Sequence, residues 1–365
     1  MTVCFSNGKI LRRHQIVAED LWVSNGKVIP PQAKANTILD MDGNLIAPGY
    51  IDLQVNGGFG VDFTEGLEQL QKVAAGLPRY GVTAFLPTII STFPEKYRQI
   101  IASFYPCQGA TPLGIHLEGP FLNPEQAGAH QKKYFLEFEK GVESCYGPLK
   151  NVKMVTLAPE LLGAANVIAE LNNQGILVSA GHTQASFDEM NQSGIKLVTH
   201  LFNAMGPFHH RAPGVIGAVL TRPELHYTII ADGIHVHPAA LKMAWEANPK
   251  GLILISDAMV ALGEGQGKYR FGGLDVEVED NRATLAGTKR IAGSVLTLDT
   301  AVRNLSQATG CSIIEAIEAA SLKPAKILGL SQKGHLEFGA DADFNILSSG
   351  LDVKACYIAG TKQTS

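Results

Sequence analysis

The chain has 365 residues, of which 45% are hydrophobic and 18% charged, and its net charge is −4 at pH 7. That length accommodates one large barrel plus a small appended domain. The weak negative charge gives no reason to expect nucleic acid or an anionic membrane as a partner. Five scattered cysteines (Cys4, Cys107, Cys145, Cys311, Cys356) without a Cys-x-x-Cys pair argue against a disulfide framework or a thiolate zinc site. No apolar run approaches the ~20 residues of a membrane span. The first residues lack the apolar stretch of a secretory signal. A soluble, cytoplasmic protein is expected.

In chain order, residues 1–47 read as short strands and turns, with a hairpin signal at Ser24-Asn25-Gly26-Lys27. After Pro48-Gly49 the pattern alternates between strand and helix. Strands are expected near 50–55, 82–87, 112–118, 152–158, 176–182, 196–202, 226–232 and 251–257, with helices between most of them, for example 66–79, 94–105, 161–173, 185–193 and 238–247. The strand runs are continuously apolar, as strands buried on both faces are, and eight of them make a (β/α)8 barrel of the TIM type in an α/β protein. Residues 260–292 break the alternation, and the alternating Leu274-Asp275-Val276-Glu277-Val278-Glu279 reads as a β-hairpin insertion. Helices follow near 295–309, 312–320 and 323–329, and the tail returns to strand character. The expected division is a small β-sandwich-like domain from 1–47 plus 335–365, and a barrel over 48–334.

Four apolar runs stop on residues that bind metals or move protons. Pro112–Leu117 ends at Glu118, Ile176–Gly181 at His182, Lys196–Thr199 at His200 and Leu252–Ser256 at Asp257. Carboxyl ends of barrel strands are where this architecture keeps its active site. A lone His at a strand end is usually an ordinary satisfied polar residue. Three such residues with an Asp at one barrel mouth make a hydrolytic metal centre the better reading. A Glu and two His suit zinc and other divalent first-row metals, leaving a position open for water whose pKa the metal lowers. His116 shares the strand face of Glu118 and is either a fourth ligand or a deeper hydrogen-bonding support.

Pro48-Gly49-Tyr50-Ile51-Asp52, followed by a barrel and a Gly339-Ala340-Asp341-Ala342-Asp343 tail, resembles the amidohydrolase superfamily. The runs His116-Leu117-Glu118-Gly119-Pro120-Phe121, Ala180-Gly181-His182-Thr183, Thr199-His200-Leu201-Phe202-Asn203-Ala204-Met205 and Ser256-Asp257-Ala258 resemble its N-acetylglucosamine-6-phosphate deacetylase branch. The resemblance implies hydrolysis of the acetamide on an amino sugar 6-phosphate by metal-bound hydroxide. It implies metal ligation by Glu118, His182 and His200, and Asp257 as general base and then acid. His130 matches a His that polarises the acetyl carbonyl. Substrate contacts are implied at Ala129, His130, Asn203, Ala204, Arg211, His235 and the loop Ile291-Ala292-Gly293, with Arg211 suited to phosphate by its planar fork. His209 and His210 match nothing in the family. Relatives complete part of the phosphate site from a neighbouring subunit, which implies a homodimer, with a tetramer as the alternative.

The chain departs from the superfamily where many members carry His-x-His for a second metal: here stand Gln54 and Asn56. Neutral amides bind zinc-like ions poorly. One divalent metal per subunit is therefore expected, zinc first with Fe2+, Co2+ or Mn2+ as alternatives, and Gln54 is expected near the site in a polar role, either contacting substrate or supporting the residues around the metal. Two competing readings are an N-acetylgalactosamine-6-phosphate deacetylase and a non-catalytic amidohydrolase-like scaffold. Retention of Glu118, His182, His200 and Asp257 together speaks against the scaffold.

Overall fold

The computed structural model describes residues 1–138 and 141–363. Eight parallel strands form the barrel: Tyr50–Val55, Val82–Ile89, Ile115–Glu118, Val152–Leu157, Leu177–Ala180, Leu197–Val198, His226–Ile229 and Leu252–Leu254. Each pairs in parallel with the next in sequence. The last strand meets the first just beyond its own end, where Asp257 N donates to Gln54 O (3.0 Å) and Asn56 N to Ala258 O (2.7 Å). These closing bonds set Gln54, Asn56 and Asp257 side by side.

The strands are shorter than the apolar runs predict. The fifth ends at Ala180, the sixth at Val198 and the eighth at Leu254, so His182, His200 and Asp257 lie beyond the ladder. Their φ angles of 50°, 37° and 52° explain why. A left-handed residue cannot continue a strand, and for a side chain with a Cβ it costs about 1–3 kcal/mol. The carboxyl ends turn inward at these residues and aim their side chains at the barrel axis.

The interior below is closed by a polar layer. His116 bonds Thr88 Oγ1 (3.2 Å) and Thr156 Oγ1 (2.8 Å), and Thr156 continues to Thr199 (2.9 Å) and Thr199 to Ser179 (2.6 Å). Both imidazole nitrogens are thus used within the barrel, and His116 takes the supporting role. Burial, against the pull of Glu118, lowers its pKa to about 4, so the ring is neutral.

Helices between the strands match expectation at Pro94–Ala102, Ala164–Asn173, Phe187–Gln192 and Pro238–Ala247. Two were not anticipated: Gly141–Tyr146 and Gly214–Thr221, the latter opening in a Gly/Pro-rich stretch that reads as loop. The insertion is a correction. Instead of one hairpin it makes a three-stranded antiparallel sheet, Gly267–Phe271, Leu274–Glu279 and Arg282–Leu285. The second turn is Asp280-Asn281, both left-handed (φ 47° and 62°), a conformation Asp and Asn tolerate better than other non-glycine residues.

Both chain ends build two further sheets, one of four strands and one of six, and strand Leu45–Pro48 pairs with the late strand Phe344–Leu347. Phe5, Leu21, Ile46, Leu336, Phe344 and Tyr357 belong to a hydrophobic cluster of their own between them. The Asn25-Gly26 turn joins Leu21–Ser24 to Lys27–Ile29 with φ of 50° and 74°, as a tight hairpin requires. Among the described residues, no helix is long and apolar enough to cross a membrane.

Candidate metal and substrate site

Glu118, His182 and His200 converge at the barrel mouth. His200 Nε2 lies 3.1 Å from Glu118 Oε1, His182 Nε2 lies 3.5 Å from the same oxygen, and the two imidazole nitrogens are 3.2 Å apart. His130 also approaches, its Nε2 3.6 Å from Glu118 Oε2, so Glu118, His130 and His182 form a second overlapping group of potential ligand atoms.

Hydrogen bonding at the far nitrogens separates the roles. His182 Nδ1 faces Gln126 O at 2.8 Å, and a carbonyl only accepts; Nδ1 therefore carries the proton and Nε2 presents a lone pair. His130 is the reverse. The Ser91 backbone N–H donates to its Nδ1 (3.2 Å), with Ser91 Oγ at 2.8 Å, so the neutral ring carries its proton on Nε2. Burial, reinforced by His182, lowers the His130 pKa to about 4 and keeps the ring neutral at pH 7. His182 is thus a ligand-type imidazole, and His130 a donor aimed at the centre.

Glu118 is ionised there: burial opposes its charge, but the surrounding imidazoles of His130, His182 and His200 hold it well below the usual carboxylate range. Burial likewise opposes a charge on His200, yet Glu118 and Asp257 raise its pKa. The donor set fits a divalent cation. Two imidazole nitrogens face each other beside a buried carboxylate, an arrangement that a cation reconciles better than shared protons do. His200 Nδ1, Gln54 Oε1 and Asn56 Oδ1 are buried around this centre without partners among the described residues.

Asp257 is held by amides. Gln54 Nε2 bridges Glu118 Oε1 (2.9 Å) and Asp257 Oδ1 (3.0 Å), and Asn56 Nδ2 donates to the same Asp257 oxygen (2.7 Å). Both bonds go to Oδ1, which leaves Oδ2 open toward the cavity. Burial, and then the charge of Glu118, raise the Asp257 pKa to about 6. A carboxylate of that basicity is suited to take and return a proton near neutral pH.

The cavity over this centre has a volume of about 130 Å³. Ala129, His130, Asn203, Ala204, His235, Ile291 and Gly293 all line it, as do Glu118, His182, His200 and Asp257. Ala292 is fully buried behind Ile291 and Gly293, and Gln54 touches the two carboxylates from below. Gly128, at φ 55°, closes against the ligand ring: a Cβ there would lie 3.0 Å from His182 Cε1. Arg211 is the exception. It is exposed on a loop lining a separate surface hollow with Gln184, His209 and Pro213, and does not reach the cavity of its own chain.

Several contributors escape sequence reasoning. Ser91 and Gln126 set the two imidazole tautomers from 39 and 56 residues away. Asp232 accepts from the backbone of Ile234 (2.8 Å) and His235 (2.7 Å) and meets His235 Nδ1 at 2.6 Å. That turn had a signal, Asp232-Gly233, at the end of the seventh apolar run. Asn56 was legible only as a missing ligand, and Ile90 and Phe271, which also line the cavity, carried no signal at all.

A barrel with a Glu/His/His cluster and an Asp at its carboxyl end defines a metal-dependent hydrolase of the amidohydrolase type. The chain belongs to the amidohydrolase family, whose model matches residues 45–362. It is similar to the N-acetylglucosamine-6-phosphate deacetylase of Mus musculus, at 46% identity over 98% of this chain and 94% of the relative. Among solved structures it is similar to the N-acetylglucosamine-6-phosphate deacetylase from Thermotoga maritima, with a TM-score of 0.89, 28% identity and 99% of both chains covered. It is also similar to the Mycobacterium smegmatis N-acetyl-D-glucosamine-6-phosphate deacetylase, crystallised as a mutant with N-acetyl-D-glucosamine-6-phosphate, with a TM-score of 0.87, 30% identity, and 100% and 99% coverage. The resemblance read from His116–Phe121 and Thr199–Met205 thus extends along the chain.

Proposed function

We propose that this protein hydrolyses N-acetyl-D-glucosamine 6-phosphate to D-glucosamine 6-phosphate and acetate, a step of amino sugar recycling. One observation carries the chemistry: a ligand-type Glu118/His182/His200 set, a proton-bearing His130 and an amide-held Asp257 share one cavity. The similarity to deacetylases supports the substrate.

Glu118, His182 and His200 would hold one divalent cation, for which zinc is the first choice on donor type. When bound, the cation supplies Lewis acidity and hydroxide at neutral pH. His130 donates a hydrogen bond from its Nε2–H to the acetamide carbonyl oxygen as negative charge grows there. Asp257 Oδ2 accepts a proton from the attacking water and passes it to the departing nitrogen, which leaves poorly as an anion. Gln54 and Asn56 occupy the second-metal position as donors, a role opposite to ligation, which supports a mononuclear centre.

For the phosphate, His235 stands in the cavity wall with Asn203 and Ala204. Arg211 faces outward, beside Phe208, which is 54% exposed. We infer a homodimer in which Arg211 of each subunit completes the partner's site; a tetramer is the alternative assembly. The cytoplasm suits the five free cysteines.

The test is comparative turnover. The account predicts efficient acetate release from N-acetylglucosamine 6-phosphate, and far less from the unphosphorylated sugar. Preference for N-acetylgalactosamine 6-phosphate would transfer the chemistry to that epimer. Absence of turnover on either, with metal bound, would overturn the assignment.

A further inference from the structure

We propose that Ile90 and Phe271 form a fixed wall that measures the acyl group and restricts it to acetyl; this rests on the deacetylase reading. If His130 Nε2 polarises the acyl carbonyl, the acyl chain, bonded to that same carbon, lies beside the His130 ring. Two tethers bring apolar side chains to that place. Ser91, which bonds His130 Nδ1, directly follows Ile90. Gln131, directly after His130, donates from Nε2 to Gly272 O at 2.7 Å, and Gly272 directly follows Phe271. Ile90 and Phe271 line the cavity and are only 4% and 3% exposed. They share a hydrophobic cluster with Met259, Val276 and Ala292, against which Ala129 packs.

The wall is anchored from behind by one short segment. Gly272 N donates to Asp62 Oδ2 (2.7 Å), and Ile90 N donates to Thr64 Oγ1 (3.2 Å). Contact between the two halves is close: a Cβ on Gly272 would lie 2.4 Å from Ile90 Cδ1. An added methylene on the substrate therefore meets side chains whose backbone is pinned by hydrogen bonds rather than a yielding loop. Asn203 and His235, the polar groups suited to sugar and phosphate, line the same cavity.

The experiment compares kcat/KM for the N-acetyl, N-propionyl and N-butyryl derivatives of glucosamine 6-phosphate. An apolar pocket discriminates one methylene by roughly 10–200-fold, so the wild type favours acetyl over propionyl by a factor in that range. Phe271→Ala and Ile90→Ala each shift the propionyl-to-acetyl ratio by about tenfold or more toward propionyl. Ile230→Ala, which enlarges the same cavity beside the seventh strand, leaves the ratio unchanged. Should an alanine variant fail to fold, Phe271→Leu and Ile90→Val carry the same comparison with smaller shifts in the same direction. An unchanged ratio in folded variants, with both activities falling together, overturns the proposal. So does an equal shift in Ile230→Ala. A metal-loaded wild type that hydrolyses none of the three overturns the deacetylase reading and the wall with it, an outcome distinct from turnover with an unmoved ratio.

Discussion

Asn56→Leu removes one hydrogen-bond donor while nearly preserving side-chain bulk. Asn56 Nδ2 donates to Asp257 Oδ1 at 2.7 Å inside a buried site. A hydrogen bond to a charged group is worth about 1.5–3 kcal/mol, and 1.36 kcal/mol corresponds to one pH unit. Its loss therefore raises the proton affinity of Asp257 by about one to two pH units. Burial and Glu118 already push that carboxyl up to about 6, with Asn56 among the groups that pull it down. As a base, Asp257 works only when ionised, so a higher pKa moves the acid limb of the pH profile to higher pH. Measured as kcat/KM against pH, the variant should lose about 10–100-fold at acid pH and approach wild-type activity well above the shifted limb. A uniform loss at all pH values, or an unmoved limb, would refute the claim that Asn56 acts through the ionisation of Asp257.

Asp257→Asn should keep its metal yet lose about 10²–10⁴-fold in kcat; near-normal turnover removes Asp257 from the mechanism. Arg211→Ala should raise KM for the phosphorylated sugar with little effect on the unphosphorylated one, checked by steady-state kinetics on both. Asp52 offers a stability test: burial raises its pKa to about 7, although it accepts from Gln54 N (3.2 Å) and Ser256 N (3.2 Å). The folded state binds this proton more tightly than the unfolded chain does, so the contribution is present below the unfolded pKa and lost as pH rises through about 7. Urea unfolding should show Asp52→Asn gaining a few kcal/mol relative to wild type between pH 4 and pH 8; a constant difference contradicts the burial argument.

The barrel was legible because its strands are buried on both faces, so each announces itself as an unbroken apolar run. The same runs misled at their ends. Ile176–His182 reads as one strand, but the ladder stops at Ala180 and His182 turns left-handed, a choice made by the cavity it must face rather than by propensity. Glu118, His182, His200 and Asp257 stood out as polar residues closing apolar runs. The groups that set their protonation did not: Ser91 meets His130 and Gln126 meets His182 only through the fold. Gln54 and Asn56 were read by what they lack as ligands, whereas their donor geometry toward Asp257 depends on barrel closure. In the insertion the alternation of 274–279 was visible, and the Asp280-Asn281 turn that adds a third strand was not.

The central claim is a single-metal deacetylase, and metal content measured together with acetate release tests it directly. Protein purified without chelator should carry about one divalent metal per chain and release acetate from N-acetylglucosamine 6-phosphate, with chelation abolishing activity and zinc restoring it. Two metals per chain, or full activity in metal-free protein, would contradict the account.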